Sequence, residues 1–252
     1  MTTRYKTQAF IFGKNDVNEF DRIFSVFTDE FGRLDIFAKA IRKGVSKLRS
    51  GIDTFYFSEI EFIQGKRRKT LTDAVIIEKL KNIGKNPLKF KIGHNIGEIL
   101  SSFIIGEERD KDIFKLLKET FDRLDKENLT DRQCARLEYY FLWNIISLLG
   151  YRPEVEKCSV CNNKLNPESI YFSNKSGGAV CKKCLSDDLK VLIINSDAVK
   201  LLRLIFKKEW PLFCKIKISG PSQKLFKKIS DSYYFYTLSD NSSKNILMRK
   251  AE

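Results

Sequence analysis

The 252-residue sequence predicts an α+β chain of several domains, and three observations carry that expectation. Five short runs rich in β-branched and aromatic residues fill positions 1–80. From about residue 86 the apolar spacing changes from a period of 2 to one near 3.6. Two C-x-x-C pairs follow, separated by 19 residues. The expected organisation is a small β-barrel over 1–80, a helical bundle over 81–155 and an embedded four-cysteine metal module over 156–190. A C-terminal segment over 191–252, a helix and then a strand-like basic tail, is expected to complete the helical domain.

The strand candidates are 5–13, 22–28, 33–41, 53–63 and 69–77. In the third, Leu34, Ile36, Ala38 and Ala40 alternate with Asp35, Phe37 and Lys39, the pattern of a strand with one face inward. Turn-forming stretches, "GKND", "DEFG", residues 42–52 and "QGKRR", separate the runs. Five short strands in so few residues suit a barrel or a sandwich, and a five-stranded OB-like barrel is among the fits.

Three helical stripes follow. The first runs through Ile96, Ile99, Leu100, Phe103 and Ile104, the second through Ile113, Leu116, Leu117, Phe121 and Leu124. A third opens at Thr130 as N-cap, runs through Cys134, Leu137, Phe141, Ile145 and Leu148, and stops at Gly150 with Pro153 beyond. After the cysteine segment, Asn195 or Ser196 caps a helix with Ala198, Leu201, Leu202, Ile205 and Phe206 inward. "PLFCKIKI", 211–218, then alternates like a strand through Leu212, Cys214, Ile216 and Ile218.

Cys158, Cys161, Cys181 and Cys184 are the expected metal ligands, holding one structural Zn²⁺ per chain. Each C-x-x-C supplies two corners of a tetrahedron, and four thiolates leave no open position for substrate. Cys134 and Cys214 sit on apolar stripes and read as core. The lone histidine, His94, lacks an H-x-E context and reads as a helix-surface or core residue.

The chain carries a net charge of +14, concentrated at its two ends: +4 over 1–80, +1 over 81–150 and +9 over 151–252. Such a surface attracts polyanions. Two acid-free basic runs fall on loops between expected barrel strands: Lys39, Arg42, Lys43, Lys47 and Arg49, then Lys66, Arg67, Arg68 and Lys69. On one side of a barrel they would form a groove suited to phosphates. Phe37, Tyr56 and Phe62 could stack bases there but read more readily as core.

No phosphate-cradling glycine loop, dinucleotide fingerprint or nucleophile elbow occurs, so no enzymatic activity is expected. The pairs Glu107–Glu108 and Asp187–Asp188 could hold Mg²⁺ for a nuclease, yet read better as solvated surface. No run of about 18 apolar residues and no secretory signal occur, so a cytoplasmic protein without a membrane partner is expected.

Several segments, in this order, resemble the RecO family of bacterial recombination mediators: "VFTDEFGRLDIFAKAIRK", "KLRSGI", "YFSEIEFIQG", "LLGYRPEVEKCSVC" and "YFSNKSGGAVCKKC". The resemblance spans roughly residues 1–205. It implies an N-terminal OB barrel, an α-helical domain with an embedded zinc module, and a place in the bacterial cytoplasm at the nucleoid. It further implies binding to single- and double-stranded DNA and annealing of complementary strands. The implied partners are RecR, in some bacteria RecF, and the single-stranded DNA-binding protein SSB, with RecA loaded onto SSB-coated gaps. Arg42, Lys43, Lys47 and Arg49 match the family's basic barrel loop, and the four cysteines match its zinc ligands. Beyond about residue 210 no match to the family's closing helical region is expected. The alternative function is a zinc-ribbon nucleic-acid-binding module of the transcription or translation machinery.

Overall fold

The computed structural model describes residues 3–185 and 191–249, and of 241–249 only the helical backbone. The Asp187–Asp188 pair, with the end of the 156–190 segment, lies outside the described residues. The chain divides into two compact units, Met1–Ala135 and Arg136–Glu252.

In the first unit, β1 (Arg4–Asp16), β2 (Arg22–Thr28), β3 (Gly32–Ala38), β4 (Tyr56–Gln64) and β5 (Lys69–Lys79) close a barrel in the order β1-β2-β3-β5-β4. Closure depends on β1 serving two partners: Arg4–Phe10 pairs with β4, and Ala9–Asp16 pairs with β2. A register shift between Ile11 and Gly13 bends the strand from one partner to the other. A short parallel contact, Ile36 beside Lys69 and Phe37 beside Thr70, seals β3 to β5. This is the five-stranded OB-type barrel.

Alternation fills the barrel with Ala9, Ile11, Phe24, Val26, Leu34, Ile36, Ile60 and Phe62. Phe10 and Phe12 face outward yet are buried too, because helices cover that side, with Phe10 lying 4.3 Å from Phe121 between ring centroids. That double coverage turns "AFIF" into an unbroken apolar run.

Between β3 and β4 the chain makes a short 3₁₀ turn, Lys47–Ser50, seated against β5. A Cβ on Gly51 would stand 1.8 Å from the Ala74 carbonyl oxygen. Gly51→Ala is therefore expected to cost about 1–3 kcal/mol by overpacking. Urea unfolding measures this, and an unchanged midpoint would mean that the turn does not need its seat on β5.

Four helices follow: α1 (Lys81–Lys85), α2 (Pro87–Phe103), α3 (Lys111–Lys126) and α4 (Asp131–Leu148), the last running from the first unit into the second. Asn86 caps α2 by accepting the Leu88 and Lys89 N–H groups, and Asp110 caps α3 in the same way. At α4 the Gln133 side chain accepts the Thr130 N–H at 2.9 Å, one half of a capping box. Asp125, at the end of α3, accepts the N–H groups of Asn82 and Ile83 and so ties α1 to α3.

The second unit holds the rest of α4 and an antiparallel sheet ordered β7-β6-β8, from β6 (Ile170–Ser173), β7 (Gly178–Cys181) and β8 (Val191–Ile194). Then come α5 (Ser196–Phe206), capped by Asn195, α6 (Trp210–Lys215) and α7 (Gly220–Arg249). Trp143 is fully buried, stacks on Tyr233 and donates to the Ser230 hydroxyl at 2.9 Å.

The strand-like tail is overturned, because residues 210–215 and 220–249 are helical. Phe213 and Cys214 are buried side by side while Leu212 is 58 % exposed, a pattern that excludes alternation. Pro211 opens α6, and Ser219 caps α7 by accepting the Ser222 N–H. The α7 stripe Phe226, Ile229, Tyr233 and Thr237 was present in the sequence at helical spacing. Among the described residues no helix is long and apolar enough to cross a membrane.

Candidate nucleic-acid groove and metal centre

The outward face of β3 carries Arg33, Asp35 and Phe37, the side opposite Leu34 and Ile36. Over it runs a groove of about 580 Å³, bounded by Val17 of the β1–β2 connection and by Gln64, Lys66, Arg67, Arg68 and Lys69 around the β4–β5 turn. Phe37 is only 3 % exposed, because the Arg68 guanidinium covers its ring 3.5 Å from the centroid. Lys66 and Arg67 are exposed, whereas Lys69 is paired with Glu107. Cations therefore outnumber carboxylates along the groove, with an aromatic floor beneath one of them.

The first basic run is pinned beside this groove rather than lining it. The Asp21 carboxylate accepts the Ala40 N–H at 2.7 Å, and the Arg42 N–H donates to the Phe20 carbonyl. Arg42 also pairs with Asp16 at 3.3 Å, and the Lys43 ammonium lies 4.9 Å from the Phe20 ring centroid. Lys47 and Arg49 belong to the 3₁₀ turn on β5, where Leu48 packs onto the barrel core. The two runs approach each other at Asp21, whose carboxyl is held below its usual range by the Ala40 N–H first, then Asn18, with Arg68 and Lys39 adding attraction. Sequence reasoning missed Arg33, although the alternation on β3 already assigned it to the face of Phe37.

Of the other aromatic candidates, Phe62 is core, stacked on Tyr5. Tyr56 is half-buried beneath the Lys79 ammonium. His94 is exposed on α2, 4.0 Å from Glu98.

The second site is built by two knuckles. Cys158 and Cys161 flank a tight turn in which the Asn162 N–H donates to the Cys158 carbonyl. Cys181 ends β7, and Cys184 closes the 3₁₀ turn Lys182–Cys184. The Ser159 N–H donates to the Ala179 carbonyl at 2.8 Å, binding one knuckle to the other. Gly178, at φ +150°, lies so close to Glu154 that a Cβ would come within 2.2 Å of its carbonyl oxygen.

The four Sγ atoms lie within 4.8 Å of one another, the one such cluster of metal-ligating groups among the described residues. Cys161 and Cys181 sulfurs are 3.8 Å apart. A tetrahedron with metal–sulfur bonds of about 2.3 Å has edges of about 3.8 Å, so the cluster fits a four-coordinate ion. Burial pushes the Cys158 thiol up, but the N–H groups of Cys161, Cys181 and Val160 outweigh it and bring it down to about 6. Hydrogen bonding to the sulfurs of Cys161 and Cys181 pushes Cys184 up to about 12.

Residues 1–80 match the family model described as recombination protein O N terminal, and residues 85–245 match that of recombination protein O C terminal. The second match reaches well past residue 210, so the expected end of the resemblance is corrected along with the tail's structure. The chain is 33 % identical over 216 residues to a DNA repair protein RecO of Dehalococcoides mccartyi, covering 85 % of this chain and 83 % of that protein. It is 27 % identical over 230 residues to the DNA repair protein RecO of a Thermoanaerobacter species, covering 90 % of each. Over 248 residues and 98 % of each chain, it is 25 % identical to that of Caldanaerobacter subterraneus subsp. tengcongensis.

Proposed function

We propose, for a chain that belongs to the RecO family of DNA repair proteins, a non-enzymatic role: it anneals complementary DNA strands. In this reading it works with RecR to load RecA onto single strands coated with SSB, at the nucleoid in the bacterial cytoplasm. RecF takes part only in some bacteria. One observation carries the DNA contact. The basic groove lies on the β2–β3 side of the barrel, between the β1–β2 and β4–β5 connections. That is the face with which OB barrels hold oligonucleotides.

Annealing needs no bond chemistry. Lys66, Arg67 and Arg68 lower the repulsion between phosphate chains, and flexible lysine and arginine side chains leave base edges free to pair. The Phe37–Arg68 stack offers a flat surface to a base without reading its identity. Zinc would be held by Cys158, Cys161, Cys181 and Cys184 and would supply rigidity to the second unit, since no coordination position stays open.

The test is annealing of two complementary labelled oligonucleotides precoated with bacterial SSB. Acceleration by the protein, without cleavage in Mg²⁺, is expected; absence of acceleration would overturn the reading. With about 4–6 phosphates contacted, log affinity for a single strand should fall against log salt with a slope near −3 to −4. A slope near zero would exclude phosphate contacts as the source of binding.

A further inference from the structure

A second basic pocket lies at the other end of the β4–β5 hairpin. At the turn, Gln64 pairs with Lys69; at the open end, Tyr56 pairs with Lys79. Eight residues of strand put these ends roughly 25 Å apart. The pocket has a volume of about 370 Å³ and is lined by Lys14, Lys79, Lys81 and Lys85 around Tyr56 and Phe90. Against four lysines stands one acid, Asp53, and Lys14 is paired with it.

Lys79, Lys81 and Lys85 are exposed, so three cations face the opening. Lys81 and Lys85 are one helical turn apart on α1. Phe90 packs edge-on against Phe55, 5.4 Å between centroids at 85°, and is 49 % exposed. An aromatic ring left open beside spaced cations suits a base and its flanking phosphates.

We propose that this pocket is a second binding site for single-stranded DNA, so that one chain holds a strand at each end of the hairpin. The proposal rests on the annealing reading and deepens it, since pairing needs two strands near one protein. The lining favours nucleic acid over an acidic peptide. The exposed Phe90 ring set among the lysines is what distinguishes them, since it offers a stacking face to a base between its phosphates, whereas a carboxylate side chain needs only the charge. The N–H groups of Asn82 and Ile83, which could otherwise have held a carboxylate, are already taken by Asp125.

The experiment counts short oligo-dT strands bound per full-length chain by native mass spectrometry, alongside the annealing rate. Wild type should bind two strands. Lys79→Glu with Lys81→Glu and Lys85→Glu should bind one, with the remaining affinity unchanged and annealing at least about tenfold slower, because three cations no longer reach phosphate. The neutral set Lys79→Gln, Lys81→Gln and Lys85→Gln should also lose the second strand. Arg67→Glu with Arg68→Glu should leave one strand, and the two reversals combined should leave none. A matched reversal at exposed Lys224, Lys227 and Lys228 of α7 should keep both.

One strand on wild type and one on the pocket variant would overturn the proposal and leave the annealing reading standing. No strand on wild type would overturn that reading itself. Loss of the second strand in the α7 variant would reduce the effect to bulk charge and overturn the pocket. Retention of both strands by the pocket variant, with loss of a short acidic peptide, would make it a peptide site instead.

Discussion

Replacing Cys158 with serine is expected to lower the melting temperature by about 6–12 °C and to release one zinc ion per chain. Structural zinc contributes about 10–16 kcal/mol in zinc-finger peptides, and loss of only a quarter of that, ~3 kcal/mol, produces such a shift in a chain of this size. Cys158 is fully buried and its sulfur accepts the Cys181 N–H at 3.4 Å, so serine loses both the ligand and its seat. The damage should spread, because the knuckles continue into the sheet: Cys181 pairs with Ile170 on β6, which pairs with Ile194 on β8. Farther along, Arg203 of α5 donates to the Val155 carbonyl at 2.7 Å, just before the first knuckle. A chelator should reproduce the effect in the wild type. Acid should too, since the ligands must be thiolates and protons compete with the metal. A melting temperature within about 2 °C of wild type, less than 1 kcal/mol at this size, would sink the structural role. Unchanged melting with lost annealing would instead make the knuckles a direct DNA contact.

Arg67→Glu combined with Arg68→Glu is expected to weaken single-strand binding about 10- to 100-fold near 0.1 M salt and to flatten the salt slope by about 1.4. The slope change follows from removing two phosphate neutralisations, each worth about 0.7 on a single strand. Both arginines line the groove, and Arg68 also loses its stack on Phe37. The comparison that gives the result meaning is a fourfold reversal of the other run, Arg42, Lys43, Lys47 and Arg49 to glutamate. None of these lines the groove, Arg42 is already paired with Asp16, and Lys47 and Arg49 sit on the turn against β5. That variant is expected to lose less affinity than the groove pair despite carrying twice the charge change. The reverse order would move the DNA contact to the β3–β4 connection. Both variants change exposed side chains, so circular dichroism should match wild type in each.

Much of the barrel was legible because its signal is local. The alternation of Leu34 and Ile36 against Asp35 and Phe37 assigned both faces of β3 correctly, and the structure adds only that Arg33 shares the outer one. The cysteine spacing likewise carried its own geometry, since a C-x-x-C turn can hardly avoid bringing its two sulfurs together. The tail was misread for an equally local reason. "LFCKIKI" satisfies a period of 2 over a few residues, whereas the helical signal of the tail lies farther on, in the longer stripe from Phe226 to Thr237. The short β8, four residues long, left no period to detect.

By itself, the sequence determined which residue types were available and at what spacing: five strands, the helical stripes, four thiols in two pairs and two clusters of positive charge. Tertiary structure alone decided how the charges sort. Lys66 to Arg68 gained a groove because a two-residue parallel contact closes β3 onto β5 and brings the β4–β5 turn over Phe37, 31 residues before Arg68. Lys47 and Arg49 were drawn aside because Leu48 between them packs against the barrel core. The lysines of α1 met Lys14 because Phe55, just before β4, donates its N–H to the Ile11 carbonyl of β1 and accepts the Leu80 N–H at the end of β5. Charge along a chain is a local property, whereas a binding site is a juxtaposition, and strand pairing between distant segments is what sets it.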